Sequence, residues 1–83
     1  MIYVQTLTGK SFNVKTTQRT TVLDVKEALS DAYFAEFGTE LPPEHQRLVA
    51  PGGVILENTK TLSEYGIRDH TIITLLIWRL GRA

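Results

Sequence analysis

Two histidines, His45 and His70, are the side chains of this chain most suited to proton transfer or metal ligation, and neither has company. A general base needs a nucleophile within reach and a third group to orient it. A zinc site needs further Cys or His ligands at short intervals. His45 and His70 lie in separate polar stretches, far apart in sequence, and no pattern around either supplies those groups, so both read as surface residues. Cysteine is absent, which removes thiolate ligands, disulfides and thiol transfer chemistry. Gly9, Gly52 and Gly53 belong to no phosphate-binding pattern that opens a helix, and they read as turn residues. The chain is also small for holding both a core and a substrate cavity of several hundred cubic ångströms. It reads as a non-enzyme without cofactor or metal.

The totals agree. Eighty-three residues are expected to form one domain over residues 1–83, and a chain of this size buries only about 60 to 65% of the surface exposed when unfolded. Nine basic and nine acidic side chains cancel, so no overall field draws the molecule to nucleic acid or an anionic membrane. Met1 leads straight into an alternating strand, with neither a signal peptide nor a membrane span in view. The expectation is a soluble monomer of the cytoplasm, the nucleus or both.

The elements follow from periodicity. Ile2-Tyr3-Val4-Gln5-Thr6 and Ser11-Phe12-Asn13-Val14-Lys15 alternate around a Leu7-Thr8-Gly9-Lys10 turn and predict an N-terminal hairpin. Ile2, Val4, Phe12 and Val14 share one face and Tyr3 takes the other. Thr21 and Asp24 mark a helix start, although Asp is a weaker capping partner than Glu. Val22, Val25, Leu29, Ala32 and Tyr33 form one apolar stripe, Gly38 closes the helix, and Pro42-Pro43 bars continuation. Leu23 and Phe34 lie off that stripe near a common azimuth. The segment through Phe37, Gly38 and Leu41 is expected to cover them, with a second binding face as the alternative.

Arg47-Leu48-Val49-Ala50 and Val54-Ile55-Leu56 are short extended pieces on either side of a Pro51-Gly52-Gly53 turn. Residues 72–78 make a longer β-rich run expected at the centre of the sheet. With one helix and no repeated β-α unit, the fold class is α+β, a mixed sheet packed on one main helix. Ile73, Leu75 and Ile77 are expected to face the helix. That leaves Thr74, Leu76 and Trp78 on the outer surface beside Val49, whose neighbour Leu48 points to the core.

Three strings carry a family likeness: Thr6-Leu7-Thr8-Gly9-Lys10, Leu41-Pro42-Pro43-Glu44-His45-Gln46-Arg47-Leu48 and Thr61-Leu62-Ser63-Glu64-Tyr65-Gly66-Ile67. In this order and spacing they resemble the ubiquitin family from Ile2 to about Leu80, interrupted by extra residues around Ala32 to Glu40 and near Pro51 to Gly53. The resemblance implies a β-grasp (ubiquitin-like) fold, in which the sheet curls around the helix. It also implies a protein-binding surface, because Leu7, Val49, Thr74 and Leu76 fall on positions that form the family's apolar patch. Arg47 matches a basic residue at the rim, Thr74 replaces the patch's usual histidine, and Trp78 stands where the family commonly has arginine. An exposed Trp78 offers a large desolvatable surface; the other reading folds it down over the sheet edge or the inserted loops.

The implied function is non-covalent docking to ubiquitin receptors, proteasome subunits or ubiquitin-pathway enzymes. The alternative is a divergent covalent modifier. Against it, the tail Arg79-Leu80-Gly81-Arg82-Ala83 lacks the family's adjacent glycines, and Arg82 brings a side chain where close backbone approach is required. Conjugation through that tail is not expected. Lys10 and Lys26 match chain-forming lysines of the family, whereas the two most used chain positions align with Val54 and Asp69.

Overall fold

A computed structural model describes residues 1–78. Five strands, β1 (Ile2–Thr6), β2 (Ser11–Val14), β3 (Gln46–Ala50), β4 (Val54–Ile55) and β5 (Ile72–Ile77), form one mixed sheet in the order β2-β1-β5-β3-β4, with a single long helix, α1 (Val22–Phe37), packed across one face. Strand β1 (Ile2–Thr6) pairs antiparallel with β2 (Ser11–Val14), with Val4 opposite Phe12. Gly9, at φ +92°, turns the chain between them, where a Cβ would be strained. The alternation acts as expected: Ile2, Val4, Phe12 and Val14 are all buried.

Helix α1 (Val22–Phe37) begins on a reciprocal cap. The Thr21 hydroxyl accepts from the Asp24 amide at 3.1 Å, and the Asp24 carboxylate accepts from the Thr21 amide at 3.0 Å. The shorter Asp thus completes the box that Glu more often closes. Val22, Val25 and Leu29 are fully buried, with Ala32 and Tyr33 packed at the margin. Gly38 ends the helix in the left-handed conformation at φ +69°, its amide donating to the Phe34 carbonyl at 2.8 Å.

Residues 32–37 form the last turns of α1 rather than a cover over the off-stripe side chains. Phe37 turns toward Tyr33, with ring centroids 4.6 Å apart, because residues four apart stack along a helix. Phe34 therefore stays 53% exposed and Leu23 36%, contrary to the expected shielding by Phe37, Gly38 and Leu41. Leu41 itself goes into the core.

Strand β5 (Ile72–Ile77) occupies the centre, parallel to β1 and antiparallel to β3 (Gln46–Ala50). β4 (Val54–Ile55) adds a two-residue edge beyond β3. A tight corner at Ser63–Tyr65 completes the frame, the Tyr65 hydroxyl accepting from the Glu57 amide at 2.8 Å. Next to it the Leu62 amide reaches the Thr20 carbonyl at 3.0 Å and ties this corner to the start of α1. A parallel pair, β1 and β5, flanked by β2 on one side and by β3 and β4 on the other and packed on one helix, is the β-grasp arrangement. Among the described residues no helix is long and apolar enough to cross a membrane.

Candidate functional site

The register of the sheet sets out its outer face row by row. Val49 lies opposite Thr74 on one side and Ile55 on the other, and Thr74 in turn lies opposite Gln5, which lies opposite Ser11. The row is therefore apolar over β4 and β3 and becomes polar over β1 and β2. One row along, Arg47 lies opposite Leu76, and at the far end Ile72 lies opposite Tyr3. Behind them Ile73, Leu75 and Leu48 are buried against the helix, so the alternation of β5 holds through its middle.

Beyond Leu76 the next outward side chain is Trp78, 51% exposed, and its ring lies 5.0 Å from the Arg47 guanidinium carbon. The Trp78 amide donates to the His45 carbonyl at 2.6 Å, which fixes the backbone where the strand leaves the sheet. Trp78 is thus half exposed with Arg47 against its ring. It shares the rim with Arg47, in a cation–π geometry.

Ile77 departs from the expected inward burial. It is 37% exposed, at the last position of β5. With Leu75, Tyr33 and Phe37 it lines a groove of about 300 Å³ that is closed on the hairpin side by Thr6, Leu7 and Thr8. Leu7, 81% exposed at the hairpin tip, belongs to the wall of this groove. The structure thus brings Arg47, Val49, Thr74, Leu76 and Trp78 together on one face, whereas Leu7 lines the groove on the helix side.

Two further apolar residues belong to the outer face that the sequence analysis did not single out. Ile55 and Ile72 are each about half exposed and extend the patch at both flanks. The even phase of β5 could have found Ile72; Ile55 sits in a run of three apolar residues that has no alternation to read.

Beneath the face lies a polar arrangement. Gln46 is buried, its side-chain amide donating to the carbonyls of Lys26 at 2.7 Å and Leu41 at 3.1 Å, so it joins β3 to α1 and the Pro42-Pro43 entry. Lys26 is only 7% exposed and donates to the Asn58 side-chain oxygen at 2.6 Å. Burial, and secondarily the nearby Arg47 charge, lowers the Lys26 pKa from its ordinary value. Lys10 pairs with Glu36 at 2.8 Å.

The histidines do not converge. His45 lies at the entry to β3, while His70, at a left-handed φ of +68°, stacks against Tyr3 with centroids 5.8 Å apart. Among the described residues, no group of three or more His, Cys, Asp or Glu could hold a metal ion. The tail from Arg79 to Ala83, on which the conjugation argument turned, lies outside the described residues.

The sequence model of the Ubiquitin family matches residues 2–79, nearly the whole chain. Together with the helix clasped by a five-stranded mixed sheet, and with the three strings located at the hairpin turn, the entry to β3 and the Ser63–Tyr65 corner, that match settles the kinship: the chain belongs to the ubiquitin family.

Proposed function

We propose that this ubiquitin-like domain works as a monomeric, non-covalent docking module whose outer sheet face engages ubiquitin receptors, proteasome subunits or ubiquitin-pathway enzymes. One observation carries the reading: Ile55, exposed, and Val49, Thr74 and Leu76, each partly exposed, occupy adjoining places on β4, β3 and β5, with Arg47 and Trp78 at the rim. Contiguous exposed apolar surface is what an interface core requires, whereas single exposed side chains are ordinary. Arg47 and Trp78 are the residue types most often found to dominate binding energy. Leu7, at the hairpin tip, extends the contact along the end of the sheet.

The patch consists of a few aliphatic side chains and one aromatic, so the affinity expected is micromolar, on the order of −8 kcal/mol at most. The partners named work in the cytoplasm and nucleus, and the reading places the domain there. Titration of isotope-labelled protein with a purified proteasomal ubiquitin receptor tests it. Amide shifts centred on Val49, Thr74, Leu76 and Trp78 support docking by this face; shifts confined to the helix, or no shifts at micromolar receptor, contradict it.

A further inference from the structure

The exposed side of α1 carries a pattern that neither the core nor the sheet uses. Leu23, Glu27, Ser30, Asp31 and Phe34 follow one another at helical spacing along it. Phe34, Ser30 and Asp31 form one wall of a shallow groove of about 360 Å³, and Glu40, Pro42 and Pro43 form the other. Both charged groups of this groove are acidic, and neither has an ion-pair partner among the described residues.

The surrounding charge is one-sided. Residues 27–44 contain Glu27, Asp31, Glu36, Glu40 and Glu44 but no Lys or Arg, in a chain whose net charge is zero. Of these, Glu36 alone has an ion-pair partner among the described residues, Lys10. This arrangement works against the helix itself. Glu27 and Asp31 are like charges one turn apart, and the last turn holds no basic residue where the macrodipole favours one. A second copy of the same face would add like charge to like charge, so the complement must be cationic.

We propose that this face docks a basic amphipathic helix of a partner protein, with Lys or Arg side chains meeting Asp31 and Glu40 and an apolar side chain covering Phe34 against Pro42 and Pro43. Leu23 and Phe34 stand roughly 16 Å apart along the axis, about three turns, from the rise per residue. A helix spanning both presents apolar residues at its two ends of contact and basic residues between them, opposite Glu27 and Asp31. This face is separate from the outer sheet, and its occupancy does not depend on docking there.

The test uses the full 83-residue chain and a fluorescently labelled model helix of Leu and Lys, with a Leu and Glu version as the charge control. Anisotropy and amide shifts are read together. The expected result is saturable, salt-sensitive binding of the Leu/Lys helix, shifts at Leu23, Asp31, Phe34 and Glu40, and no binding of the Leu/Glu helix. The charge reversal Asp31→Lys, Glu40→Lys and the separate change Phe34→Ser, which keeps every charge, are each expected to weaken binding about tenfold or more. Val49→Ala, Leu76→Ala leaves it unchanged. Shifts confined to the outer sheet, equal binding of both helices, no binding of the Leu/Lys helix, or affinities within twofold of the parent for both helix-face variants would overturn the proposal.

Discussion

The Arg47 guanidinium carbon lies 5.0 Å from the centroid of the Trp78 ring, so the two rim residues of the outer face are already partnered. A cation over an exposed indole contributes about 0.5 to 1 kcal/mol. The pairing holds the large aromatic surface in one place, which lowers the entropy lost when a partner covers it. Trp78 is the sole tryptophan, and its fluorescence therefore reports this contact without interference. Arg47→Ala is expected to shift the emission and to lower stability by about 0.5 kcal/mol, with Arg47→Lys keeping part of both. Unaltered emission in Arg47→Ala would show that the two side chains do not associate in solution.

The helix start offers a second expectation. The Thr21 hydroxyl accepts from the Asp24 amide while its own amide donates to the Asp24 carboxylate, so removing the hydroxyl orphans one donor of the first turn. Thr21→Ala is expected to cost about 1 kcal/mol in urea unfolding and Thr21→Ser much less. Equal losses for the two would assign the effect to packing.

Lys26 gives a pH dependence at the alkaline side. Its folded pKa is lowered below 10.5, chiefly by burial, so between that lowered value and 10.5 the unfolded chain binds more protons than the folded one. This residue's contribution therefore makes stability rise with pH through that window, and Lys26→Met is expected to remove the rise. The buried amine should also react with acetylating reagents more slowly than exposed Lys15, as mass spectrometry of the labelled peptides would show. Equal labelling of the two would contradict the burial of Lys26.

At the acid side the Ser63–Tyr65 corner is one sensitive point. Glu64 accepts from the Thr61 amide at 2.8 Å and from its hydroxyl at 3.1 Å, and these bonds hold its pKa below 4.5. A carboxylate lowered in this way stabilises the fold above its unfolded pKa, and the contribution is lost as pH falls through the folded value. Glu64→Gln is expected to flatten stability against pH below about 4.5 while leaving the fold unchanged. An acid limb identical to the parent would place the sensitivity elsewhere.

Elements whose pattern is local were open to reading. The hairpin faces, the cap at Thr21, the stripe from Val22 to Tyr33 and the inward phase of Ile73 and Leu75 all follow from alternation or helical period. What escaped depends on where an element ends against its neighbour. Ile77 has the inward phase but, as the last residue of β5, stays 37% exposed, and Phe34 stays open while Phe37 stacks on Tyr33. Ile55 required the β3–β4 register, and the burial of Lys26 required Asn58 from a distant loop. Lysine is among the residues least often buried, so nothing in the helix pattern would have singled it out.

The most direct test of docking by the outer sheet is calorimetric binding of the Val49→Ala, Leu76→Ala protein and its parent to a purified proteasomal ubiquitin receptor. The account predicts a loss of roughly thirtyfold, about 2 kcal/mol, with amide dispersion showing the fold retained. Affinity within twofold of the parent would contradict it.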